Sequence, residues 1–258
     1  MSKFNLVATT LFTSTLGLSI ATGMSAAHAS SLVPQKEGEI KLTNVGCIVS
    51  AADCIDTSSL GYTVTSKPYD FDGKAPQYGL SRLFVDNSAT ANNWGFGISF
   101  PQVDAGTNPP ENQNWLRPVA YLGKDASSLP TGTPAEHSNL EVGQFEFHFK
   151  KTVSELKLNF LDVEDKNFSG ILSLNGKAIN NLLPAGPNNS IQSLTLKDVN
   201  SFVVQLGKTG PDSVFPNTGD GVDLQISKVP EPTNTVGLVA LIFGILGLRR
   251  SKKVTSVA

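Results

Sequence analysis

The stretch Gln144-Phe145-Glu146-Phe147-His148-Phe149, continued at Glu155-Leu156-Lys157-Leu158-Asn159-Phe160, decides the fold. In each half apolar residues alternate with polar ones, so Phe145, Phe147 and Phe149 share one face, as do Leu156, Leu158 and Phe160. The halves read as two half-buried strands joined by a turn at Lys150-Lys151. Phe160 and Leu161 are adjacent apolar residues. The strand from Glu155 to Val163 is therefore expected to carry a bulge there or to cross into another environment.

Working outward, the same period of two recurs at Phe202, Val204 and Leu206 and at Val222, Leu224 and Ile226, and it puts Trp94, Phe96, Ile98 and Phe100 on one face of a strand. Turn chemistry separates these runs at Asn175-Gly176, at Pro184 to Asn189 and at Gly207 to Asp212. No amphipathic helical stripe interrupts residues 40–228. The expected class is all-β: a two-sheet antiparallel sandwich, jelly-roll-like, with an open barrel as the alternative.

Both ends read as targeting segments. Lys3, the apolar stretch Leu6 to Ile20 and the small-x-small site Ala27-His28-Ala29 describe a secretory signal peptide over residues 1–29, followed by a polar lead-in over 30–39. At the other end, residues 229–258 combine Val229-Pro230-Glu231-Pro232 with an apolar run from Val236 to Leu248 and the cations Arg249, Arg250, Lys252 and Lys253. Pro230 and Pro232 separate this segment from the body. A transmembrane anchor helix is expected at about 235–248 with a basic tail at 249–253, short against the roughly 20 residues that a spanning helix uses. The basic tail stays cytoplasmic, which leaves the body outside the inner membrane.

These features resemble the PEP-CTERM sorting signal. The resemblance implies that an exosortase-type membrane protease reads Pro230, Glu231 and Pro232, that the apolar run is a transient anchor and that Arg249 and Arg250 begin the stop. The body, over residues 40–228, is similar to an exported PEP-CTERM group with a Leu-Glu-Val-Gly motif. The matching stretches are Leu140-Glu141-Val142-Gly143, Phe160-Leu161-Asp162 and Gly219-Asp220-Gly221-Val222-Asp223-Leu224. That likeness implies export and a shared fold, and no catalytic residue.

Between the targeting segments fifteen Lys and Arg face twenty-one Asp and Glu, a net charge of −6. An acidic body excludes nucleic acid, whose phosphates demand a basic footprint. Cys47 and Cys54 are the only cysteines, and an even, closely spaced pair in an exported chain is expected to form a disulfide. Residues Gln102 to Glu136 are poor in strand signals, and their Trp115, flanked by Asn112 and Arg117, has the composition of a sugar-stacking loop. The competing reading folds Trp115 back onto the core.

Asp70-Phe71-Asp72-Gly73, Asp162-Val163-Glu164-Asp165 and Asp220-Gly221-Val222-Asp223 are the candidate calcium groups. Solvated turn acids are the simpler reading of each, so no metal and no cofactor is expected, with structural calcium left open. If one group does bind, alternation puts Asp162 and Glu164 on one side of a strand. His137 and His148 are the histidines of the body, both at ordinary polar positions, and no nucleophile elbow, zinc helix or phosphate loop is present.

The sequence thus predicts an exported, non-catalytic cell-envelope or extracellular-matrix protein, transiently membrane-anchored and then at the cell surface or released. Its expected role is structural, adhesive or glycan-associated, with exopolysaccharide as the candidate ligand. The alternative is a carbohydrate-active hydrolase working through a carboxylate pair.

Overall fold

The computed structural model describes residues 29–70, 78–95, 98–102, 107–120, 141–208 and 221–230. The signal peptide up to His28 and the sorting segment from Glu231 onward, including Arg249, Arg250 and the anchor, lie outside the described residues. So do Phe96, Asp72, Asp220 and His137.

Fourteen strands make up the described chain: β1 (Ser30–Ser31), β2 (Gly38–Ile40), β3 (Cys54–Ile55), β4 (Tyr62–Asp70), β5 (Tyr78–Leu80), β6 (Arg82–Asn87), β7 (Asn92–Gly95), β8 (Ile98–Phe100), β9 (Asn114–Val119), β10 (Gly143–Leu161), β11 (Gly170–Leu174), β12 (Lys177–Leu182), β13 (Ile191–Leu206) and β14 (Asp223–Lys228). A single 3-10 turn at Thr57–Leu60 is the helical content among the described residues. The expected all-β class holds. One large sheet of twelve strands runs in the order β12-β11-β13-β10-β14-β9-β6-β2-β3, with β1 on β14 and with β4 and β5 branching from β10, and a small sheet pairs β7 with β8. The large sheet is mixed, because β2 and β3 run parallel.

The alternating stretch that opens the sequence reading is one strand of 19 residues, not two strands and a turn. Along its partner β13 the register is regular from Gly143 to His148 and from Glu155 to Leu161. Between them, five residue steps on β10 (148 to 153) lie opposite two on β13 (201 to 199), so three residues bulge out. From the bulge to Leu156 the buried set passes from odd positions, the last of them Val153, to even ones, and the exposed Lys150-Lys151 between the two runs looks like a turn in the sequence. At Phe160 and Leu161, by contrast, the register is unbroken, and both residues are buried. The strand there has crossed into surroundings covered on both faces.

The bulge is a corner of the sheet. Before it, one edge of β10 pairs with β4, Phe149 opposite Tyr62; after it, the same edge pairs with β14, Leu156 opposite Lys228. From β14 the ladder passes through β9, β6 and β2, and the residue pair Leu42–Val64 links the end of β2 back to β4. The pairing therefore closes a circuit, and a single apolar cluster fills it. Phe147 stacks on Phe202 at a centroid distance of 4.9 Å, and Tyr62 packs at 5.7 Å from Phe147. Leu83, Leu116, Leu158 and Leu224 complete the same cluster from the other half of the sheet.

Four expectations are corrected by this arrangement. The residues set apart as a lead-in belong to the sheet: Ser30 and Ser31 pair with Lys228 and Ser227, and Gly38 and Glu39 pair with Val85 and Phe84. Trp94 and Phe100 lie on two strands, β7 and β8, that pair antiparallel, rather than on one strand, although both still meet around Phe84. The segment read as strand-poor contains β9, whose residues from Trp115 to Val119 are all buried. Asp162 lies beyond the end of β10 with φ of 67°, so the alternation that would align it with Glu164 does not reach it.

Cys47 and Cys54 are disulfide-bonded. The loop they close is also held from within. The buried Glu39 carboxylate accepts hydrogen bonds from the Ile48 and Val49 amides at 2.7 and 3.2 Å and pairs with Arg82, which donates to the Gly46 carbonyl at 2.6 Å. The short loop loses little closure entropy, so the bridge itself contributes on the order of 2 kcal/mol.

Candidate functional site

The three stretches of the Leu-Glu-Val-Gly likeness converge on one buried polar cluster. Its centre is Arg117 on β9, 1% exposed, which pairs with Asp86 of the neighbouring strand β6 at 3.3 Å and with Glu141 just before β10. The guanidinium also lies over the Phe100 ring, 4.4 Å from its centroid, so the β7–β8 hairpin roofs the cation. A buried arginine suits this place because its planar fork serves two carboxylates at once.

Several described residues of the motif stretches have a physical reason. Glu141 is the counter-charge of Arg117. The Val142 carbonyl accepts a hydrogen bond from Ser81 Oγ at 2.7 Å. Gly143 is required because a Cβ there would stand 2.6 Å from Ser81 Cβ, and Gly221 because a Cβ would overlap Glu141 Oε2. Asp162 accepts from the Asn189 amide at 2.6 Å and from Thr107 Oγ1 at 3.1 Å, and Thr107 Oγ1 lies 3.3 Å from the Gly221 carbonyl. Asp223 is buried opposite Leu161 in the β10–β14 ladder, and the antiparallel Leu224–Leu116 pair puts it in register with Arg117 on the other side. Glu141, Asp162 and Gly221 are thus parts of one network that ties three loops to the end of the sheet.

The electrostatics follow from burial. Desolvation pushes the Asp86 carboxyl above its ordinary range, against the pull of Arg117. Glu164 is also pushed up, first by burial and then by the like charges of Asp162 and Asp165. A carboxyl whose folded-state pKa is raised binds its proton more tightly in the fold. Stability therefore falls as pH rises from the ordinary value of 4.5 through the raised one. Glu164→Gln is expected to melt above the parent at pH 7 and level with it at pH 3.5; a variant that melts below the parent at pH 7 contradicts the like-charge crowding.

The sequence-predicted sugar loop is not assembled. Trp115 has no exposed surface, and its indole N–H finds no partner, so neither ring face is open to a ligand. Arg117 is committed to the cluster, and Asn112 alone is exposed, in a turn with φ of 61°. The fold-back reading of Trp115 is the one the structure favours. Among the described residues no group of three or more His, Cys, Asp and Glu is arranged to hold a metal ion. His148 lies exposed on β10 between Thr63 and Ser201.

Sequence reasoning missed Asp86, Thr107 and Asn189, which hold the cluster from outside the motif stretches. No sequence signal near them marks the role. Comparisons with protein-family models, curated proteins and solved structures returned no match. The cluster is therefore read from its own chemistry. It fixes loops: a guanidinium pairs with Asp86 and Glu141, and a hydroxyl and an amide donate to Asp162.

Proposed function

We propose that the chain is an exported, non-catalytic protein of the cell envelope or extracellular matrix, delivered through its PEP-CTERM tail and serving a structural, adhesive or glycan-associated role. The observation that carries this reading is where the folded ladder stops. Among the described residues the last backbone hydrogen bond of this ladder runs from the Val229 amide to the Glu155 carbonyl at 3.0 Å, and the next residue is Pro230, which has no amide to continue it. Pro230 and Pro232, which cannot continue a ladder, suit a tail that is handled separately from the body. The Cys47–Cys54 bridge agrees with an oxidising destination.

Within this reading the body is a two-layer, jelly-roll-like sandwich that turns its corner at the β10 bulge, and its buried carboxylates are structural. The partners are an exosortase-type protease, the inner membrane before processing, and exopolysaccharide afterwards. Grafting residues 229–258 onto an inert exported reporter is expected to hold the reporter in the envelope. Removing the sorting protease is expected to trap the native chain, by mass, with its carboxy-terminal segment intact. A grafted reporter that runs free into the medium with its graft uncut sinks the proposal.

A further inference from the structure

Both ends of the described chain leave the fold at the β10 corner. Ser30 pairs with Lys228 in antiparallel register, so the chain arriving at Ser30 and the chain departing from Lys228 lie side by side. The Leu32 amide donates to the Ile226 carbonyl at 2.8 Å and the Tyr62 hydroxyl to the Leu32 carbonyl at 2.8 Å, which straps the amino-terminal end in place. The apolar stretch ending at Ile20 is ten residues before Ser30, and the one beginning at Val236 is eight after Lys228, so the two spacers are nearly matched.

The corner is also basic, although the body as a whole carries −6. Lys150 and Lys151 project from the bulge, Lys157 lies beside Ser227, Lys197 opposite Glu155 and Lys228 opposite Leu156. Lys177 follows the Asn175-Gly176 turn, which is bound to this corner by the Asn175 side chain donating to the Asp198 carbonyl at 2.8 Å. All six are exposed. Among the described residues the acids around them are Glu155, Asp198 and Asp56, the last held by hydrogen bonds from Ser58 and felt by Lys150 and Lys41. Six cations against three acids is the reverse of the balance elsewhere.

We propose that this lysine corner is a docking face for the surface of an anionic lipid bilayer, against which the body sits while its apolar ends are in the membrane. The proposal deepens the sorting reading and rests on it for the orientation. Anionic headgroups attract each nearby lysine by roughly 1 kcal/mol, or about fivefold in affinity, and salt screens the attraction.

The test uses the detergent-purified full chain, titrated with vesicles of phosphatidylcholine alone or with 30% phosphatidylglycerol as the probe. Lys150→Gln/Lys151→Gln and, separately, Lys157→Gln/Lys197→Gln are compared with the parent and with Lys166→Gln/Lys208→Gln, a charge-matched control remote from the corner, all matched by thermal melting. The expected result is equal binding of all four proteins to neutral vesicles through the tail. On anionic vesicles a loss of about tenfold is expected in both corner variants and none in the control, and the difference should vanish in 0.5 M salt. Corner variants that bind anionic vesicles like the parent, or a control that loses as much, overturn the proposal. If no protein binds neutral vesicles, the anchor reading is what fails. The corner then stands or falls on the anionic difference alone.

Discussion

Replacing Arg117 with Met is expected to lower the unfolding free energy by about 3–5 kcal/mol, because it leaves buried carboxylates without their cation. The geometry explains the size. Asp86 and Glu141 both pair with Arg117, and all three side chains are at least nearly nine-tenths buried. Water cannot take over from the guanidinium, since the Phe100 ring covers it. Protonating a carboxylate is the remaining escape, and Asp86, already pushed up by burial, is the group to take the proton. The deficit of Arg117→Met should therefore shrink as pH falls toward 4. Adding Glu141→Gln should recover part of the loss at pH 7. Urea denaturation of the single and double variants measures both, and a single-variant loss under about 1 kcal/mol is incompatible with a buried ion cluster.

Phe147→Ala is expected to cost about 3–5 kcal/mol, the range for emptying a large aromatic from a packed core. Phe147 has no exposed surface and meets Phe202 and Tyr62 within the sheet that bends at the β10 corner. The surrounding residues come from both halves of the sheet, and the hydrogen-bonded circuit limits how far either half can move in to fill the gap. With roughly 2–4 °C lost for each kcal/mol in a body of this size, the melting temperature should drop by about 10 °C. Phe149→Ala makes the comparison. That ring is 5% exposed at the bulge and should cost visibly less.

These two positions show which parts of the molecule were legible. Phe145, Phe147 and Phe149 could be placed on one buried face from spacing alone, as could Leu156, Leu158 and Phe160, because each run is covered on one side and wet on the other. The joint between them could not. A three-residue bulge produces the same phase change as a turn, and Lys150-Lys151 suits either. Strand β9 was missed for the opposite reason: both faces are covered, so alternation disappears, and Arg117 and Pro118 look like loop residues until the partners of Arg117 are known. The disulfide was legible because the chain has two cysteines. That Glu141, Asp162 and Gly221 meet was beyond sequence reasoning, since the meeting depends on strand order, and β14 lying between β10 and β9 has no local signature.

The pairing of Ser30 with Lys228 also dictates when this molecule can finish folding. Strand β14 is the piece that joins β10 to β9, and its far end receives β1 from the opposite terminus of the body. A chain that emerges amino-terminus first must hold nearly 200 residues of β-rich polypeptide open until that piece arrives. Through that interval the edges of β9 and β10 stay unzipped and open to aggregation. The body can reach its final shape only once residues 223–228 have arrived.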